Sequence, residues 1–382
     1  MKDKETQLNG ILMKIASEIS ITPSMMDKAI QSYEAVGKWI GDGIDYQIQV
    51  SPQGSMNLGT TIKPVTDQDD YDIDLVCMLT DGNQLGAEEI KNIVGNRLKE
   101  NTIYRQKIAS EGEGRRCWKM QYDEFHMDIL PCVPKTFYRE PNITDIRLTH
   151  KNDAGLYEDR FSNPYGYRQW FEEQMKDILH ASKNEYAIRN AVDIKKVPTF
   201  RVKTPLQMAV QLLKRHRDIM FEHDTKDTKP ISVIITTLAG HAYSGEDNLY
   251  EALVNLLDHM ADYIENRNGV IWIPNPVMSE ENFADKWQLY PERKTAFMAW
   301  MHEARRDLIT LPLNTSGLDQ IKKLYSSRLG DAPVNRAFNQ IGKEIRDSRS
   351  NGKLVSSGLS TGLTTAASAC GHVVREHTFF GE

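Results

Sequence analysis

Residues 71–79, Tyr-Asp-Ile-Asp-Leu-Val-Cys-Met-Leu, constrain this chain more than any other stretch. Side chains alternate across a strand, so Tyr71, Ile73 and Leu75 share one face while Asp70, Asp72 and Asp74 share the other. Apolar on one side and acidic on the other, the segment predicts a strand with one buried face and one face open to solvent or a cleft. An Asp-x-Asp pair alone is ordinary on the solvated face of an edge strand. A third acid changes its meaning. Residues 117–122 and 124–130 read as a hairpin closed by Pro131 and Pro134. Within it, Asp128 interrupts the apolar run of His126-Met127-Asp128-Ile129-Leu130, where a carboxylate costs stability unless it has a partner.

Two carboxylates one residue apart reach the same side of a strand, and a third from a neighbouring strand can complete a cage for two divalent ions about 4 Å apart. Oxygen ligands imply hard cations, so the expectation is two magnesium or manganese ions held by Asp72, Asp74 and Asp128. Upstream, Pro52-Gln53-Gly54-Ser55 reads as a turn in which Gly54 allows close backbone approach and Ser55 offers a hydroxyl to phosphate oxygens. Gly-Ser is common turn chemistry by itself. The order Gly54-Ser55, Asp72-x-Asp74, Asp128 points to a metal-assisted phosphate site.

The strands 46–50, 71–79 and 117–130, a helix at 24–40 packed behind them and another at 87–100 define a strand-rich part. From about residue 165 the pattern turns helical. Thr204 is a plausible N-cap with Pro205 at the first helical position. Leu206, Ala209, Val210 and Leu213 make an apolar stripe, with Gln207, Gln211 and Lys214 on the adjoining face. Further helices are expected at 230–243, 247–265, 282–308 and 335–347. The fold class is therefore α+β, a mixed-sheet lobe (1–165) fused to a helical lobe (166–348) around one cleft. The Ser/Gly/Thr-rich residues 349–382 are expected to be loop and tail. Lys214 suits a phosphate tail that enters and leaves repeatedly. Tyr243 offers a π-face for a base, and Arg215 and Arg217 read as surface charges.

Composition narrows the partners. A formal charge of −6 over 382 residues lacks the basic face that holds long nucleic acid, so double-stranded DNA is not expected. No apolar run is long enough to span a bilayer, and the first twenty residues carry acids and no signal-peptide core. Four scattered cysteines suit a reducing compartment, and the cytoplasm is the expected location.

The run Gln53-Gly54-Ser55-Met56-Asn57-Leu58-Gly59-Thr60-Thr61-Ile62-Lys63-Pro64, followed by Tyr71-Asp72-Ile73-Asp74-Leu75, resembles the signature of bacterial CD-NTases, the cGAS/DncV-like nucleotidyltransferases of the polymerase-β type. The resemblance continues through Leu206–Arg217, Ile231–Ala239, Asn275-Pro276 and Glu281–Trp287. It implies successive nucleotidyl transfers from ATP or other nucleoside triphosphates, release of pyrophosphate and closure of the product into a cyclic oligonucleotide used in anti-phage (CBASS) signalling. It implies that Asp72, Asp74 and Asp128 are the catalytic metal-binding triad, that Ser55 binds phosphate, and that Lys214 and Ser232 hold the donor triphosphate. Glu281–Trp287 is similar to members that make trinucleotides. Accessory regulatory proteins are implied as partners. No zinc-binding His/Cys cluster like that of the animal DNA sensor is present. A synthase of linear oligoadenylate, an enzyme that extends RNA ends, and a catalytically silent nucleotide-binding regulator stand as alternatives.

Overall fold

The computed structural model describes residues 2–66, 70–135 and 144–350, with three short strands further on. The chain opens with α1 (Lys2–Ile19), α2 (Pro23–Gly41), β1 (Ile48–Gln53), α3 (Gly54–Leu58), β2 (Tyr71–Leu79), α4 (Ala87–Glu100) and α5 (Thr102–Glu111). Four strands follow: β3 (Trp118–Gln121), β4 (Phe125–Pro134), β5 (Ile146–Lys151) and β6 (Tyr157–Ser162). Then come α6 (Pro164–Gln174), α7 (Lys176–Asn190), α8 (Pro205–Met220), α9 (Ser232–Ala242) and α10 (Leu249–His259). Two small hairpins, β7 (Glu265–Arg267) with β8 (Val270–Trp272) and β9 (Pro274–Asn275) with β10 (Met278–Asn282), precede α11 (Lys286–Leu289), α12 (Pro291–Arg305), α13 (Leu311–Asn314), α14 (Leu318–Leu329) and α15 (Asp331–Ser350).

The large sheet runs β1-β2-β4-β5-β6, with β3 pairing the same edge of β4 as β5 does. Only β2 and β4 run parallel within it, so the sheet is mixed and the fold α+β as expected. The face carrying Tyr71, Ile73, Leu75, Met127 and Ile129 packs on α2 and α4 through Val36, Ile40, Ile90 and Val94. Asp72 and Asp74 are left on the opposite face. The expected turn at 52–55 is a direct join of β1 to α3, made possible by Gly54 at φ 59°. Strands β5 and β6, the two small hairpins and α14 were not legible as elements, being short or weakly periodic.

A second core gathers the helices. Leu8, Leu12 and Ile15 of α1 are fully buried with Leu206, Leu213, Leu253 and Ala337 from α8, α10 and α15. The first nineteen residues therefore pack with the helices and not with the strands they precede, because their apolar stripe fits the groove beside α8. The Ser/Gly/Thr-rich segment read as loop carries β11 (Val355–Ser357) and β12 (Leu363–Thr364), which join β13 (Gly371–Val373) in an antiparallel sheet. The terminal segment 375–382 and Cys370 lie outside the described residues. Cys77, Cys117 and Cys132 are buried free thiols. Among the described residues no helix is long and apolar enough to cross a membrane.

Helix α8 joins the two parts. Thr204 caps it: its hydroxyl accepts from Gln207 N at 3.3 Å, and Gln207 Oε1 accepts from Thr204 N at 2.9 Å. Its polar stripe then binds the backbone that follows α3. Gln207 Nε2 donates to Leu58 O (2.9 Å), Lys214 Nζ to Thr60 O (3.0 Å), Gln211 Nε2 to Thr61 O (2.7 Å), and Arg215 Nη2 to Lys63 O and Pro64 O (2.6 and 3.0 Å). Lys203, just before the helix, holds Gly59 O, and Ile62 bridges to Ser20. Gln211 Oε1 also accepts from the Ser20 hydroxyl at 3.0 Å. Replacing Gln211 with Leu would leave Thr61 O without this donor in a dry place, a cost of about 1–3 kcal/mol, while the Ser20 hydroxyl keeps Ala16 O as its acceptor. Gln211→Leu is expected to lower the calorimetric Tm; an unchanged Tm would show that the ladder contributes little.

Candidate active site

Strand register assembles the acidic face. Asp74 of β2 stands opposite Asp128 of the parallel β4, Asp72 opposite His126, and Gln53 at the end of β1 opposite Asp74. The candidate triad is thus brought onto one face of adjacent strands by backbone pairing alone. Asp72 is exposed, while Asp74 and Asp128 are partly covered. Burial first, and then the neighbouring charges of Asp128 and Asp72, push the Asp74 carboxyl up to about 7 against the pull of Lys214. Asp72 is raised too, by burial and Asp128, with His126, Lys119 and Lys214 opposing. On the far side, Cys117 Sγ donates to Asp128 Oδ2 at 3.2 Å. Burial and Asp128 push that thiol up to about 12, so it stays protonated as a donor and leaves Oδ1 of Asp128 free of it.

Gly54 lies against the triad. A Cβ there would fall on Asp74 Oδ2, and its φ is positive, so side chains are barred twice. Ser55 follows at the start of α3, its hydroxyl 3.1 Å from that of Thr61. Among the described residues no three Asp, Glu, His or Cys side chains are already gathered into a closed cage. Three repelling carboxylates beside a backbone held open by glycine nonetheless suit hard divalent cations, whose charge would relieve the strain that lifts Asp74.

The helical side supplies positive charge. Lys214 is buried; burial, with Arg217 beside it, lowers its ammonium to about 8, while Asp218, Asp74 and Asp72 act the other way. Arg217 donates through Nη1 to Ser232 Oγ (2.8 Å) and to Pro230 O (3.0 Å), and pairs with Asp218 at 2.7 Å. Lys229 reaches the same Asp218 carboxylate at 2.6 Å. Reading Arg215 and Arg217 as surface charges was wrong: both are buried, 2% and 6% exposed, Arg215 because it meets the Lys63 and Pro64 carbonyls and Arg217 because it is held by Asp218, Pro230 O and Ser232. Tyr243 also needs correction. It is buried, ends α9, donates its hydroxyl to Glu246 O and does not line the cleft. The aromatics that do are Tyr71, Tyr167, Phe221 and Phe283, none of which the sequence singled out as a base-stacking surface.

The cleft has a volume of about 730 Å³. Gln53, Gly54, Ser55, Asp72 and Asp74 line it together with Lys214, Arg217, Lys229, Ser232 and Thr236 and with Tyr167, Asn275, Glu281 and Phe283, while Asp128 stands on the same sheet face without lining it. Aspartates, a serine hydroxyl, one buried ammonium and aromatic side chains therefore line a single cleft, on a fold of the polymerase-β nucleotidyltransferase type. Residues 48–131, which hold Gly54, Ser55 and all three aspartates, match the family described as cyclic GMP-AMP synthase DncV-like, nucleotidyltransferase domain. The chain is 28% identical to the c-di-GMP synthase of Roseivirga ehrenbergii, over 99% of this chain and 98% of that protein. It is also 28% identical to the cyclic dinucleotide synthase CdnG of Bradyrhizobium diazoefficiens, over 98% of this chain and 95% of that one. The solved structure of that CdnG, in complex with GTP, has the same fold at a TM-score of 0.69 and 23% identity, covering 88% of this chain and 99% of that chain. Over almost its whole length the chain thus resembles the CD-NTase nucleotidyltransferases, and its residues 48–131, which match the family's domain, hold the acidic strands.

A carboxyl whose folded pKa is raised contributes stability below its unfolded value, near 3.8, that is lost as pH rises through about 7. In chelator, thermal stability should therefore decline across that window. Asp74→Asn should flatten the decline and be more stable than the wild type above pH 7, on the order of 1–3 kcal/mol, while losing nucleotidyl transfer. Parallel wild-type and Asp74→Asn profiles of Tm against pH would refute this account of Asp74.

Proposed function

We propose that this protein condenses GTP into a cyclic dinucleotide in two successive transfers, releasing pyrophosphate each time. The observation that carries the reading is the near end-to-end likeness to two relatives named for cyclic dinucleotide synthesis, one of them for c-di-GMP. The second support is the juxtaposition of Asp74 and Asp128 with Gly54-Ser55. Asp72, Asp74 and Asp128 would hold two magnesium or manganese ions, which when bound would neutralise the leaving pyrophosphate and make the acceptor hydroxyl a better nucleophile. Ser55, Lys214 and Ser232, the last oriented by Arg217, bind the donor triphosphate. The acceptor ribose hydroxyl attacks the α-phosphorus, the bond to the β-phosphate breaks, and the hydroxyl proton passes toward Asp128, whose second oxygen is held by Cys117. The second transfer joins the ends of the linear intermediate.

A dinucleotide is preferred to an ATP-containing trinucleotide for a structural reason as well. Of Glu281–Trp287, the basis for expecting three nucleotides, much is devoted to the fold. Asn282 bonds Ile273 N and Ile271 O, Asp285 caps α11, and Ala284 and Trp287 are buried. Only Glu281 and Phe283 of that stretch face the cleft. We place the enzyme in cytoplasmic anti-phage signalling, gated by accessory proteins, on the strength of family resemblance.

Purified protein with labelled ATP, GTP, CTP or UTP and magnesium or manganese, followed by phosphatase, tests this. A phosphatase-resistant product formed from GTP alone and lost in Asp72→Asn and Asp74→Asn is expected. A product sensitive to phosphatase would leave a linear synthase, and a resistant product that requires ATP would overturn the guanosine assignment.

A further inference from the structure

Among the carboxylates that line the cleft, Glu281 stands in a setting that gives it a job. It sits on β10, which pairs with β9, and the buried Asn275 of β9, itself 4% exposed, donates through Nδ2 to Glu281 Oε2 at 2.7 Å. The orientation of that amide is fixed independently. Asn275 Oδ1 accepts from the backbone N–H of Val277 at 3.0 Å, so the amide nitrogen must be the atom that faces Glu281. Phe283, two residues along the chain, lines the same cleft and packs edge-on against Tyr167, their centroids 6.2 Å apart. The Tyr167 hydroxyl is held at 2.7 Å from Thr237 on α9, the helix whose Ser232 and Thr236 line the cleft. An aromatic surface and an aimed carboxylate therefore line the same cleft as Ser55, Lys214 and Ser232.

We infer that Glu281, oriented by Asn275 beside Phe283, is the base-reading residue of the nucleotide site and selects guanine. An ionised carboxylate only accepts hydrogen bonds. The Watson–Crick edge of guanine presents two adjacent donors, N1–H and the 2-amino group, which match two carboxylate oxygens or one oxygen shared between them. Adenine sets an acceptor, N1, beside its single amino group, and uracil flanks its one N–H with two carbonyls. Each would bring a lone pair toward the carboxylate and leave a desolvated acceptor unmatched, which is how polar sites reject near-isosteres. Phe283 adds stacking that does not distinguish bases, so discrimination falls to Glu281. Asn275 acts through Glu281 as a positioning residue. The inference rests on the reading of the cleft as a nucleotide site and deepens it by naming the base.

The test measures binding and not product, so it can fail separately from the proposed reaction. Full-length protein is titrated calorimetrically, in magnesium, with non-hydrolysable analogues of GTP, ITP and ATP. ITP lacks only the 2-amino group. Wild-type protein should prefer GTP over both, by on the order of 10- to 100-fold, the discrimination that a two-bond base contact supplies. Glu281→Gln turns an acceptor into a donor at the same size and should erase the preference for GTP over ITP while leaving ATP affinity within about twofold, since stacking and phosphate contacts remain. Glu281→Asp should restore part of the preference, and Asn275→Leu, which frees the carboxylate, should weaken it. A thermal melt of each variant separates misfolding from lost recognition. Equal affinity of the wild type for GTP and ITP, or a uniform loss for all three nucleotides in folded Glu281→Gln, would overturn the assignment. If GTP discrimination depends on Glu281 but no cyclic product forms, the base reading stands and the synthase reading falls. If a cyclic guanosine product forms and Glu281→Gln discriminates as before, the reverse holds.

Discussion

The polar stripe of α8 holds this molecule in its working shape. Five side chains, Lys203, Gln207, Gln211, Lys214 and Arg215, bind the carbonyls of residues 58–61, 63 and 64. Each carbonyl belongs to a segment with no strand partner of its own apart from the Ser20–Ile62 bridge. Buried backbone acceptors must be satisfied, and here the donors come from a helix roughly 150 residues away in sequence. The segment so pinned begins right after Gly54-Ser55 and α3. The same contacts therefore fix the position of the phosphate-facing turn relative to Lys214, and hence the width of the cleft.

One residue serves both roles. Lys214 is a rung of the ladder, through Thr60 O, and also the cation that opposes the repulsion around Asp74. Its ammonium, lowered to about 8 by burial, is costly to keep in a dry wall and is matched to a ligand that brings negative charge. Asp72 and Asp74, which act on it, are pushed the opposite way, both raised by burial and by neighbouring carboxylates. Two like-signed groups of charges are held apart by a rigid sheet on one side and a packed helical core on the other. Metal ions bound to a triphosphate would satisfy both at once. That is electrostatic preorganisation, with its cost borne by the two hydrophobic cores.

The part of the cleft lined by Glu281 and Phe283 is built differently. Tyr167, Asn275, Glu281 and Phe283 come from α6 and a small hairpin, segments whose sequence has no strong periodicity. Their roles follow from hydrogen bonds that only the folded chain makes, such as the Val277–Asn275–Glu281 relay. Buried Asn275 looked like half of a family motif in the sequence. In the structure it is the residue that aims a carboxylate.

The sequence alone determined the α+β class, the acid-bearing strand at 71–79, the hairpin that carries Asp128 and the capped helix starting at Thr204. These are set by short-range rules: side-chain alternation, helical periodicity and local capping, all of which act within a few residues. It also singled out Asp72, Asp74, Asp128, Gly54 and Ser55, because acids and glycine are conspicuous where an apolar strand or a tight approach makes them costly or necessary. Only the tertiary structure decided that α1 belongs with the helices, that Arg215 and Arg217 are buried donors, that Tyr243 faces the core, and that Glu281 and Phe283 share the cleft. Those outcomes depend on which polar stripe meets which carbonyls across the molecule. Local sequence carries the donors and acceptors, but not their pairing.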